Sequence, residues 1–172
     1  MEKTLKRSPE KKSFIFDTSA LISLASIDLL KRVVNFSSIT TTDAVMQELN
    51  DFSKHKDDYG NISKKVLILK NKFLIRSAEA KEEIRYLEDT DNELFNLSKN
   101  TNIPLITDDH KIVHHTEKKI EVYFSTFFLI AFVAAGLISK KEALEMLERL
   151  RDIRNWQSNI IYLTTIDQIR SM

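Results

Sequence analysis

The chain has 172 residues, no cysteine, and 26 basic against 25 acidic side chains, for a net charge of +1. Disulfides, thiolate-held zinc and a cysteine nucleophile are excluded, and the near-neutral balance leaves any nucleic-acid binding to a local patch. The length suits one domain with a substantial core, and only two glycines and two prolines leave no linker to divide it.

Met1–Lys12 is basic but lacks the apolar stretch of a signal peptide, and reads as a polar lead-in. Phe14-Ile15-Phe16 is apolar throughout and predicts a short buried strand that ends in Asp17. Asp17-Thr18-Ser19 supplies the cap for a helix through Ala20, Leu21, Leu24 and Ala25. Leu29–Val34 predicts a second short helix and Phe36–Ile39 a second strand. Thr41 or Thr42 then caps a helix beginning near Asp43, with Ala44, Val45 and Leu49 as its apolar positions and Glu48 on the same helix. Asn50–Gly60 is polar and acid-rich, the end of that helix and a loop. The mixture of lysine and aliphatics favours a helix over Ile62–Leu69, and Lys72–Arg76 reads as extended. Glu79–Leu87 predicts a helix with Ile84 and Leu87 as apolar positions, followed by a break at Glu88-Asp89.

Thr90-Asp91-Asn92-Glu93 matches the S/T-x-x-E capping box and opens a helix through Leu94, Phe95 and Leu97. Asp91 then takes its first position, where free amides and the dipole favour negative charge. Ile103–Ile106 predicts a strand running into Thr107-Asp108-Asp109, Asp109–Glu117 a helix, and Ile120–Tyr123 a short strand. Val122–Ile138 carries no charge, but it is shorter than a membrane span and is diluted by Ser125, Thr126 and Gly136. A buried helix over Thr126–Ala135, with Gly136 just past its end, is expected, and no membrane partner. Ser139 caps Lys140–Arg154, whose Leu144, Leu147, Leu150 and Ile153 make one apolar stripe. Ile160–Ile166 stays open between a strand, an edge addition and a partner contact. The main domain is expected over 13–155, with 156–172 an extension packed on it or on a partner. Strands separated by helices argue for a parallel sheet with helices on both faces.

Acids recur where apolar runs end: Asp17 after the first, Glu48 on the helix after the second, Asp108-Asp109 after the fourth. Strand C-termini of a parallel sheet share one edge, where open α/β folds place their ligand crevices. Carboxylates gathered there repel, and a hard cation such as Mg²⁺ or Mn²⁺ removes that cost. Each acid alone has a plainer role: a turn, a surface glutamate or a helix cap. Their joint pattern carries the reading.

That pattern resembles the PIN-domain family of nucleases from Phe14 to about Arg154. The resemblance rests on Phe16-Asp17-Thr18-Ser19-Ala20-Leu21-Ile22, Ala44-Val45-Met46-Gln47-Glu48-Leu49, Thr90-Asp91-Asn92-Glu93-Leu94 and Ile103-Pro104-Leu105-Ile106-Thr107-Asp108-Asp109. It implies a three-layer α/β/α sandwich around a mainly parallel sheet, an acidic metal pocket and endoribonuclease activity. Asp17, Glu48 and Asp91 match the first three family acids, and Asp109 is favoured over Asp108 as the fourth. Mg²⁺ or Mn²⁺ is the implied cofactor, held by Asp17, Asp91 and Asp109 or Asp108. Glu48 would complete that shell or orient a water, and Thr18 and Thr107 would steady carboxylates through their hydroxyls. The chain looks most like compact prokaryotic and archaeal members such as VapC-like toxins. The implied partners are therefore RNA, an antitoxin protein and a second copy of the chain, in the cytoplasm. A PIN-like scaffold that binds RNA or protein without catalysis is the alternative.

Lys111, Lys118, Arg76 and Arg85 are candidates to meet RNA phosphates. His110, His114 and His115 form no H-E-x-x-H zinc motif and read as solvent-facing or phosphate-contacting. Trp156 and Tyr162 fit a core or interface better than base stacking.

Overall fold

Phe14, Ile15 and Phe16 are each at most 1% exposed, because their strand is covered on both faces. This strand, β1 (Ser13–Phe16), is the centre of a five-stranded sheet in the order β3-β2-β1-β4-β5. The computed structural model describes residues 11–79 and 81–172, so nearly all of the polar lead-in lies outside the described residues. The other strands are β2 (Ser38–Thr41), β3 (Phe73–Ile75), β4 (Leu105–Ile106) and β5 (Val122–Tyr123), and every pairing is parallel.

Helices α1 (Thr18–Ser26) and α2 (Leu30–Phe36) link β1 to β2, and α3 (Asp43–Phe52) and α4 (Asp58–Ile68) link β2 to β3. The chain then returns across the sheet through α5 (Asp89–Thr101) to β4, and α6 (His110–Thr116) leads to β5. Right-handed crossovers running in opposite directions place their helices on opposite faces, giving the α/β/α layering. The direction reverses between β1 and β4, so the crevice expected of such a sheet opens at the C-terminal ends of those two strands.

Three more helices complete the fold: α7 (Phe127–Ala134), α8 (Lys140–Arg154) and α9 (Ile160–Ser171). Phe14 and Phe16 share one face of β1 by the two-residue strand period. Both meet Phe128 of α7, with ring centroids 5.4 and 5.7 Å apart. The uncharged segment is therefore a core helix. Among the described residues no helix is long and apolar enough to cross a membrane. Gly136 follows α7 at φ +68°, a left-handed conformation that a side chain would strain.

Ile160–Ser171 is a helix and not a strand. Asn159 caps it, Ile161, Ile166 and Ile169 are buried at helical spacing, and α9 packs on α7 and α8. Thr165 donates to the Thr126 hydroxyl at 2.8 Å. Trp156 and Tyr162 are buried, so neither ring is free to stack on a base.

The expected helix at Glu79–Leu87 does not form. Two asparagines of α5 take the backbone groups that such a helix would pair internally. The Asn96 Oδ1 accepts from the amides of Lys81 and Glu82, and its Nδ2 donates to the Glu82 carbonyl. The Asn92 Oδ1 accepts from the Ile84 amide at 2.8 Å, while its Nδ2 donates to the carbonyls of Ile84 and Leu87. This strapped segment also moves the start of α5. Glu88, not Thr90, is the N-cap, and Asp91 is the third helical residue instead of the first.

Replacing Asn92 with alanine strands several buried backbone groups. The variant should lose about 2–3 kcal/mol in urea unfolding. A loss below about 0.5 kcal/mol would show that the strap does not hold the segment.

Candidate functional site

At the reversal point, one cleft of about 300 Å³ is lined by Asp17, Thr18, Ser19, Val45, Glu48, Glu88, Thr90, Asp91, Leu94, Asp109, Lys111 and Ile112. Its acids come from separate elements. Asp17 follows β1 and caps α1, with Oδ1 accepting from the Ala20 amide at 2.7 Å. Glu48 projects from α3, whose N-cap is Thr42, and Asp91 from the first turn of α5. Asp109 follows β4 and caps α6 by accepting from the Lys111 amide at 2.7 Å.

Hydroxyls fix two of these carboxylates, Asp17 and Glu48. Thr107 Oγ1 donates to Asp17 Oδ2, and Ser19 Oγ donates to the same carboxylate at 2.8–2.9 Å. Thr18 Oγ1 donates to Glu48 Oε2. Two further bonds close the network. The Asp108 amide donates to Ser19 Oγ at 2.9 Å, and the Asp109 amide donates to Thr107 Oγ1 at 3.0 Å. In the sequence Ser19 reads only as a helix-capping residue. Its second job depends on β4 lying beside β1, which no local pattern encodes. Glu88 and Thr90, which read in the sequence as a break and a helix cap, also line the cleft.

The adjacent acids Asp108 and Asp109 diverge. Asp108 is buried and accepts from the Ser125 amide at 2.8 Å and the Ser125 hydroxyl at 2.7 Å, outside the cleft lining. Asp108 thus fastens the loop before α7 and stands away from the cleft lining, where sequence alone left it beside Asp109 as an alternative ligand. Asp109 is the member of the pair that faces the cleft.

The cationic candidates also separate. Lys111 lines the cleft. Arg85 is exposed on the strapped segment, Lys118 is exposed beyond α6, and Arg76 is exposed just past the edge strand β3. None of these last three borders the cleft. His110 packs against Phe124, with ring centroids 5.5 Å apart.

Burial and neighbouring charge make Asp17 and Asp91 hard to ionise. Burial pushes Asp17 up to about 7, against the pull of Thr107, Ala20 and Ser19. Asp91 is pushed up to about 6, first by burial and then by the charge of Asp109, with Glu88 and Glu48 adding to it. Burial also raises Asp108. The donors facing the cleft are oxygens, which suit a hard cation. Among the described residues, however, no three acidic or histidine side chains stand close enough to enclose an ion directly. Mg²⁺ commonly binds through one or two carboxylates and keeps several waters, and the cleft has room for both. Asp17 and Asp91, with Asp109, are the residues that would hold it.

The family model for DUF3368, a PIN domain, matches residues 13–171. The chain therefore belongs to that PIN-domain family. Its fold is similar to that of PAE2754 from Pyrobaculum aerophilum, with 18% identity, TM-score 0.56, and coverage of 72% of this chain and 96% of that one. A PilT N-terminus domain protein, SSO1118 from Sulfolobus solfataricus P2, aligns at 13% identity and TM-score 0.49, covering 69% and 92%. VapBC2 from Rickettsia felis, bound to a DNA fragment from its promoter, aligns at 15% identity and TM-score 0.45, covering 65% and 98%. No curated protein matches the chain.

The raised carboxylates set the pH dependence of the metal-free fold. Asp17 and Asp91 lie at about 7 and about 6, against 3.8 when unperturbed. Across that window the folded chain holds more protons than the unfolded chain, so stability falls as pH rises and levels off above about pH 7. Melting temperatures in a chelator should therefore drop between about pH 4.5 and 7.5, and Asp17→Asn should flatten the drop. An unchanged slope in the variant would remove Asp17 as its source.

Proposed function

We propose that this PIN-domain protein is a divalent-metal-dependent endoribonuclease. The observation that supports the reading most is the cleft shared by Asp17, Glu48, Asp91 and Asp109, brought together from separate elements at the sheet's reversal point. Burial of Asp17 and the mutual repulsion felt by Asp91 carry a cost beyond what helix capping requires, and a bound cation would offset it.

Mg²⁺ or Mn²⁺, when bound, supplies a Lewis acid for a phosphate oxygen and an acidified water. The chain's own groups do the positioning. Thr107, Ser19 and the Ala20 amide hold the Asp17 carboxylate in one orientation. Thr18 holds one oxygen of Glu48 and leaves the other to align the attacking water. Lys111 stands at the cleft wall to receive a backbone phosphate. The family resemblance implies attack by water, in place of the RNA 2′-hydroxyl, with the 3′-oxygen as leaving group, which gives a 5′-phosphate and a 3′-hydroxyl.

The proposal extends to a cytoplasmic toxin of a toxin–antitoxin pair, supported by the likeness to compact prokaryotic family members. A second reading, a non-catalytic PIN scaffold, draws support from the lack of a tight three-residue ion cluster among the described residues.

One experiment decides between the two. RNA cleavage with Mn²⁺ should vanish in EDTA. It should fall at least ~100-fold in Asp91→Asn and in Asp109→Asn, which circular dichroism should show still folded. Thr107→Val should weaken Mn²⁺ binding by calorimetry ~10–100-fold, as expected for a group that orients a ligand. Cleavage that survives chelation, or normal cleavage by both Asn variants, would end the nuclease reading.

We also propose a symmetric dimer through α7 and α8. The half-buried Ile130 and Val133 and the exposed Leu137 leave apolar surface there. Light scattering should return twice the 20.0 kDa chain mass, and a strict monomer at high micromolar concentration would remove the dimer.

A further inference from the structure

The strapped segment before α5 carries Tyr86, a residue 60% exposed although its neighbours Ile84 and Leu87 are buried. The ring lies against His115 of α6, with centroids 5.3 Å apart and planes at 22°. His115 in turn meets His114 edge-on at 5.0 Å and 69°. The Arg85 guanidinium sits 5.9 Å from the Tyr86 centroid. Together these side chains form a short aromatic ladder with a cation at one end.

Its position ties it to the cleft. Tyr86 is two residues before Glu88, and His115 is one helical turn beyond Lys111; Glu88 and Lys111 both line the acidic cleft. On a helix, residues four apart share a face. The ladder is therefore built on the segment that leads into α5, which supplies Asp91, and on α6, which Asp109 caps.

The segment that carries it is also held firmly. Besides the asparagine strap, Glu82 pairs with both Lys99 and Lys119. Among the described residues, by contrast, Arg85, Lys111 and Lys118 take part in no ion pair. A rigid aromatic face beside unpaired cations is the chemistry that binds single strands. Bases stack on the rings and phosphates meet the cations, largely without regard to sequence. A duplex keeps its bases stacked internally and offers no free face.

We propose that Tyr86 and His115 form a stacking subsite for an unpaired base of a single-stranded nucleic acid, next to the scissile position in the acidic cleft. The subsite rests on the nuclease reading for its purpose but not for its binding. Arg85 is exposed, so it moves aside or covers the bound base without disturbing the core.

Binding in EDTA tests the subsite apart from cleavage. Fluorescence anisotropy of the full chain would use a labelled single-stranded RNA, the matching single-stranded DNA and an RNA duplex. Tyr86→Ala should lose roughly 5- to 100-fold in affinity for the single strands. Tyr86→Phe, which keeps the ring, should stay within about twofold of wild type, and the duplex should bind weakly to all three proteins. Equal loss on RNA and DNA supports recognition through the base alone. Loss on RNA only assigns the subsite to RNA. Unchanged binding by a folded Tyr86→Ala, duplex binding as tight as single-strand binding, or no single-strand binding by the wild type would each overturn the proposal. A protein that binds through Tyr86 but does not cleave with Mn²⁺ keeps the subsite and loses the nuclease reading. One that cleaves and is indifferent to Tyr86→Ala does the reverse.

Discussion

The contact on which the site depends is the hydrogen bond from Thr107 to Asp17, which joins the end of β4 to the end of β1. Those strands are neighbours, yet about half the chain separates them. Asp17 also caps α1 through the Ala20 amide. One carboxylate thus fixes a helix start, a strand pairing and the floor of the cleft. Its burial costs free energy, and the hydroxyls of Thr107 and Ser19 offset part of that cost. Ser19 and Thr107 each also accept a backbone amide, from Asp108 and Asp109 respectively. The turn after β4 is therefore built against Asp17, and the direction in which Asp109 faces follows from it.

Asp108 and Asp109 show how a turn divides labour between identical side chains. The first points into the protein and holds both the amide and the hydroxyl of Ser125, fastening the loop that leads to α7. The second points outward, caps α6 and reaches the cleft. Losing Asp108 would loosen α7, on which Phe14 and Phe16 pack, whereas losing Asp109 removes a charge from the site. In the sequence only the family resemblance separates the two aspartates; their physical division of labour comes from the turn.

Much of the fold was legible because local and global signals agree. Phe14-Ile15-Phe16 reads as a doubly covered strand and is one. Asp17, Thr42, Asp109 and Ser139 are helix caps where side-chain chemistry calls for caps. The misreadings fall where tertiary contacts override local preference. Residues 81–88 have helical composition, but Asn92 and Asn96 claim their backbone groups from outside. Residues 160–171 are rich in β-branched residues, but Ile161, Ile166 and Ile169 find a helical face against α7 and α8. For the site, acids at strand ends were visible in the chain. The facing of Asp108, the double bond of Ser19 and the entry of Glu88 into the cleft depend on pairings between distant segments.

An acidic cleft is a poor place to bring a polyanion, and a chain with net charge +1 has no strong field to overcome the repulsion. Protonation of Asp17 and Asp91, or a bound cation, removes part of the charge at the cleft itself. Nothing in that arrangement supplies affinity along the rest of the strand. Stacking does not depend on net charge, because every base offers an uncharged face. Under the nuclease reading, the stacking subsite proposed at Tyr86 and His115 would meet a need that the acids create, and the asparagine strap on α5 holds the segment that carries Tyr86. The two side chains that most mislead a secondary-structure reading of this segment are then the ones that keep the ladder in register with Asp91 on the same helix.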